Sequence, residues 1–232
     1  MSDTVSSQNF LNGLKTRSPL DLRNFVYQNN KETCHACTDI ILALRIYDAL
    51  KTYPGMRFAW LSKIEELYGL LDNSAESYFE LLLDISLFLH DLAASDNLNK
   101  LRRIVADDIC QTTIAKIRLE ISFQQALNYY QKSYLVPVAQ QYWIARLSEL
   151  APAAIADFEG SYYDAIVMAI SCQSNSDAAI AWWNHVSLMT KLELEACDNL
   201  EDAYKYLNCI PATYDLHQSW WGKVQKLKLA AV

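Results

Sequence analysis

The stretch from Tyr78 to Leu92 reads YFELLLDISLFLHDL, and it decides the fold class. Tyr78, Phe79, Leu81, Leu82, Leu83, Ile85, Leu87, Phe88, Leu89 and Leu92 cover most of the circumference of a helix drawn through it. The polar residues Ser77, Glu80, Asp84 and Asp91 fall three, four and seven apart, which is one narrow row of a 3.6-residue period and not the alternation of a strand. A helix apolar nearly all round belongs inside a protein. A membrane span would need about 18 uninterrupted apolar residues, and the acids and His90 interrupt this run. The stretch therefore predicts a central helix over about 74–94, opened by an Asn73/Glu76 capping box.

The rest of the chain has the same character. Of 232 residues, 52% are apolar and 20% charged, with only 5 Gly and 5 Pro. Sandwiches, barrels and Gly-rich phosphate loops need far more turn residues than this. Ser18-Pro19 opens a helix over about 19–27, followed by helices near 31–53 and 57–71. From Asp96 to about Ser133 no Gly or Pro occurs, which predicts a long helix near 97–133, bent or broken around 107–113 where its apolar stripe shifts register. Pro137, Pro152, Gly160 and Pro211 divide the remainder into helices near 138–149, 161–173, 176–196, 199–208 and 214–229. The expectation is an all-α, single-domain bundle of about 9–11 helices over 1–232, with 1–135 and 136–232 as its natural halves. No internal repeat is visible: Trp182-Trp183 and Trp220-Trp221 echo each other, but the residues around them do not match.

Charge narrows the partners. The net charge of −7 argues against a chain that coats nucleic acid. From Glu149 to Asp202 there are ten acids against Lys191 alone. This run reads either as solvated helical surface or as a face that steers a basic protein partner. Met1 to Ser7 is polar, without the basic and apolar regions of a signal peptide. A cytosolic location with six reduced cysteines is the expectation, with no membrane association.

Three constellations could carry chemistry. Cys34-His35-Ala36-Cys37 contains a C-x-x-C pair, which at a helix start would be a thiol redox centre. Cys34 and Cys37 also continue the spacing of Ile41 and Leu44, which reads as a core stripe. His90-Asp91 closes the apolar helix. A hydrophobic helix ending in His-Asp resembles the HD-domain phosphohydrolases, an all-helical family whose metal ligands run His, His-Asp, Asp. That resemblance implies a divalent metal held by His35, His90 and Asp91 and a metal-activated water, with Asp157 or Asp164 as the closing ligand only by elimination. Nucleophile elbows and phosphate loops are absent from the sequence.

The last constellation is aromatic. In Trp182/Trp183 and Trp220/Trp221 the two indoles point about 100° apart around a helix, so one of each pair is expected in the core and the other on a binding surface. The favoured expectation is a helical protein that binds a protein partner, in the manner of an inhibitor or immunity protein, an adaptor or a chaperone, without a cofactor. The alternatives are the metal-dependent phosphohydrolase and the Cys34/Cys37 redox protein.

Overall fold

A computed structural model describes residues 13–75, 77–92, 95–174 and 176–230. Among these residues there is no strand, and eleven helices of ten residues or more follow one another. They are α1 (Pro19–Ala36), α2 (Ile40–Ala49), α3 (Pro54–Gly69), α4 (Tyr78–Asp91), α5 (Asp96–Lys116), α6 (Phe123–Lys132), α7 (Pro137–Ala156), α8 (Tyr162–Ser171), α9 (Asp177–Ala196), α10 (Leu200–Cys209) and α11 (Asp215–Ala230). No described helix is long and apolar enough to cross a membrane. The chain divides into two compact units, Met1–Thr112 and Thr113–Val232.

The all-α expectation holds, with corrections at the helix ends. The apolar helix α4 buries Phe79, Leu82, Leu83, Ile85 and Leu89. It starts at Tyr78, after Ser77; Glu76 of the expected capping box lies outside the described residues. The long helix expected over 97–133 is two helices, α5 and α6, and the break falls at 117–122, beyond the 107–113 window. Its cause is a capping box: Ser122 Oγ accepts from the Gln125 N–H (3.1 Å) while Gln125 Oε1 accepts from the Ser122 N–H (3.0 Å). A box supplies two partners that the first turn of a helix otherwise lacks, so it can start a new helix without any Gly or Pro. Pro152, expected to end a helix, sits exposed inside α7, where its ring and missing N–H face solvent. In the first unit, α1 runs through to Ala36 with a kink at Asn29, and a new helix starts after Asp39. The expected boundary near 28–30 is only that kink.

A repeat, unseen in the sequence, organises the fold. Asp39, Ser122, Ser161 and Asn199 each cap a ten-residue helix with their side chains. Four residues after each cap comes an alanine: Ala43, Ala126, Ala165 and Ala203. Twenty-one residues after it comes a tryptophan: Trp60, Trp143, Trp182 and Trp220. Twenty-five residues after it comes an aliphatic residue: Ile64, Leu147, Val186 and Val224. All twelve are at most 1% exposed. Each unit of this pattern is a hairpin of a short helix and a longer one. The alanine lets the short helix lie close, and the indole fills the widest part of the gap. The Trp182–Trp183 and Trp220–Trp221 pairs are thus equivalent, 38 residues apart.

In the second unit three such hairpins, α6–α7, α8–α9 and α10–α11, follow in order, with the long helices α7, α9 and α11 successively in contact. The tryptophan of one hairpin packs on the aromatic that opens the short helix of the hairpin before it. Trp182 meets Phe123 at 5.6 Å and Trp220 meets Tyr162 at 5.7 Å between ring centroids. Trp220 Nε1–H donates to Tyr162 OH (2.8 Å), which donates to Thr190 Oγ1 (2.9 Å), which donates to the Val186 carbonyl (2.7 Å). This chain satisfies three buried polar groups that would each cost about 1–3 kcal/mol if left unpaired. In the first unit, Trp60 of the α2–α3 hairpin donates to Asn30 Oδ1 on α1 at 2.8 Å.

Candidate functional site

The long helices of neighbouring hairpins leave open grooves between them. In the second unit, α9 and α11 flank a groove of about 580 Å³ that includes Ser187, Lys191, Glu195, Ser219, Lys223 and Lys226 in its lining. Lys223 Nζ reaches across to the Leu194 carbonyl at 2.7 Å. No described carboxylate lies within ion-pair distance of Lys191, Lys223 or Lys226. Next in sequence to the lining residues Ser187 and Lys191, α9 exposes Leu188 (79%) and Leu192 (72%), one turn apart. Cations, a carboxylate, hydroxyls and nearby uncovered leucines are groups that can hold a ligand.

In the first unit, α1 and α3 flank a groove of about 750 Å³ lined by Lys31, Cys34, His35, Ser62, Lys63 and Glu66 among others. Its positions match those of the other groove at a constant offset of 160 residues, Lys31 with Lys191 and Lys63 with Lys223. Here, however, Lys63 is ion-paired to Glu66 at 2.9 Å.

Of Trp182, Trp183, Trp220 and Trp221, from which one indole of each pair was expected at a binding surface, only Trp221 is exposed, at 50%. Trp182, Trp183 and Trp220 are buried and have no surface to offer a partner. The rule of one indole in and one out holds for Trp220/Trp221. It fails for Trp182/Trp183 because α9 is covered on two sides: Trp182 faces Phe123 and Phe158, and Trp183 stacks on Tyr214 at 4.6 Å.

Six of the ten acids in the 149–202 run have a local structural role. Asp164 completes the Ser161 capping box, and Asp177, Glu201 and Asp202 sit in the first turns of α9 and α10, where a negative charge complements the helix dipole. Glu149 pairs with Arg146 at 2.8 Å, and Glu193 accepts the Tyr206 hydroxyl at 2.9 Å. Burial, and then the Glu193 carboxylate, push the Tyr206 hydroxyl well above its ordinary range.

The two chemical alternatives are not assembled. His35, His90 and Asp91 are all exposed, and His90 Nδ1 and Asp91 Oδ1 lie 3.2 Å apart, engaged with one another. No group of three or more described His, Cys, Asp or Glu side chains converges to hold a metal ion. The carbonyls at the end of α4 are occupied by Arg102, whose guanidinium donates to Leu89 and Leu92. The metal triad implied by the HD resemblance is therefore not brought together.

Cys34 and Cys37 lie at the C-terminal end of α1, with Cys37 as its C-cap, and not at a helix start. The dipole there opposes a thiolate. Burial raises both thiols above the ordinary range. Cys37 is fully buried, its Sγ directed at the Asp39 carbonyl (3.4 Å), just as Cys197 Sγ is directed at the Asn199 carbonyl (3.5 Å). The C-x-x-C pair is thus part of a junction between successive hairpins. The pairing of lysines across two helices was missed in the sequence, because Lys191 and Lys223 fall in different helices and only the repeat aligns them. No family model, curated protein or solved structure matches the chain, so its reading rests on this architecture alone.

Proposed function

We propose that this chain acts by binding a protein partner, as an adaptor or inhibitor does, through the outer face of α9 in its second unit. The observation that carries this reading is the pair Leu188 and Leu192, 79% and 72% exposed on successive turns of α9. Leaving two leucines in water forgoes about 1.5–3 kcal/mol each relative to full burial, which a partner would recover. Stacked helical hairpins support the reading, because they present extended surfaces on rigid elements. All six cysteines are free thiols, in keeping with a reducing, cytosolic setting.

A photo-crosslinking amino acid placed at Leu188 or Leu192 in cells tests this. Both positions should yield the same discrete crosslinked species, and Leu188→Asp should abolish the one formed at position 192. Absence of a discrete species at both positions, with the protein folded and abundant, would overturn the proposal.

A further inference from the structure

The acidic run suggested a basic partner, but four of its ten acids sit in the first turns of helices. In the groove beside the exposed leucines, lysines outnumber carboxylates three to one. Resting on the partner-binding reading above, we infer that the α9–α11 groove docks an acidic, amphipathic segment of the partner. Its carboxylates would meet Lys191, Lys223 and Lys226, and its apolar side chains would cover Leu188 and Leu192.

Three observations carry this. First, the three lysines come from two helices and line one groove, where they outnumber its one lining carboxylate, Glu195, and none of them is ion-paired to a described carboxylate. Clustered like charges in a cleft repel one another and focus the potential, so an anionic group relieves a cost that already exists in the free protein. Secondly, the groove is a product of the repeat: the same pair of positions carries lysine in the first unit, as Lys31 and Lys63. There the fold itself supplies an anion, Glu66, to Lys63 at 2.9 Å. The position equivalent to Glu66 in the second unit is Lys226, so the internal anion is replaced by a further cation. In the first unit Glu66 neutralises Lys63, whereas in the second unit three lysines line the groove with one carboxylate, Glu195, which is ion-paired to none of them. Thirdly, the cations adjoin apolar surface. Lys191 lies between Leu188 and Leu192 along α9, and a helical segment with Glu and Leu at spacings of three and four would match both.

The test uses the full chain and a fluorescein-labelled 14-residue helical peptide with leucines on one face and glutamates beside them, together with its twin in which every Glu is Lys. Fluorescence anisotropy should show the acidic peptide binding at least tenfold more tightly than the basic one, and binding should weaken as salt is raised. Lys191→Glu combined with Lys226→Glu should weaken the acidic peptide at least tenfold and improve the basic one, a reversal that misfolding cannot imitate. Lys31→Glu, in the first unit's groove, should change binding less than twofold. Equal binding of the two peptides, or no effect of the α9–α11 substitutions, would overturn the inference. So would lysine-dependent binding of pyrophosphate with no peptide binding, which marks a small-anion site, or crosslinks from Leu188 to a second copy of the chain. If discrete crosslinks to another protein persist at Leu188 while the peptide result fails, partner binding stands and only the partner's chemistry is wrong.

Discussion

Asp39 shows how much of the molecule can depend on one side chain. It is the N-cap of α2, accepting from the Leu42 N–H at 3.0 Å, and it pairs with Lys15 Nζ at 2.5 Å. Burial alone would raise its pKa, but the Lys15 ammonium and the Leu42 and Ile41 N–H groups outweigh burial and hold the carboxyl below the ordinary carboxylate range. A folded-state pKa below the unfolded value means that the carboxylate's contribution is fully present above about pH 4 and is lost as pH falls through the folded value. Asn caps a helix as well as Asp, so Asp39→Asn should lower stability at pH 7 only by the lost Lys15 pair, about 0.5 kcal/mol, and the difference from the parent should vanish as pH falls below the ordinary carboxylate range. A constant difference across that window would show that charge plays no part. The cap was invisible in the sequence, where 31–53 reads as one helix, because Cys34, Cys37, Ile41 and Leu44 keep helical spacing straight through it.

At the scale of elements, start signals proved stronger than the absence of stop signals. The segment 97–133 has no Gly or Pro, yet it breaks where Ser122 and Gln125 satisfy each other's backbone groups. Ser122→Ala should cost about 1 kcal/mol. Hydrogen exchange should then show faster exchange at the first-turn N–H groups of α6, with α5 unchanged. If exchange in α5 rises equally, the two helices are not separate elements. The boundaries of α8 to α11 were legible to within a few residues, since Gly160, Ser161, Ser176, Asn199 and Pro211 act locally. The ends of α1, α2 and α5 were not legible, because nothing in a single periodic stripe marks where one cylinder stops and a coaxially patterned one begins.

The whole molecule is governed by the repeat, which has consequences for how it unfolds. In hairpins that contact chiefly their neighbours, stability is close to a sum of local and interface contributions. Val224→Ala removes two buried methyl groups from α11 and should cost about 2 kcal/mol. Hydrogen exchange should rise in α10 and α11, and remain as in the parent at α2 and α3. A uniform rise across every helix would instead mean one all-or-none cooperative unit. The repeat escaped sequence reading because it keeps only a cap, an alanine, a tryptophan and an aliphatic residue per hairpin. Those four are spread over 25 positions, wider than the windows in which periodicity is read.

By itself the sequence determined that this chain is helical throughout, roughly where most helices lie, and that its greasiest segment is a core helix. These properties follow from backbone capping and a 3.6-residue period, which act over a few residues. Tertiary structure alone decided which helices pair, that Trp183 is buried while its equivalent Trp221 is half-exposed, and that His35 and His90 do not meet. It also decided that lysines 32 residues apart in sequence, Lys191 and Lys223, share one groove. Each depends on what packs against a helix face, and a side chain's own stretch of sequence carries no record of its neighbour.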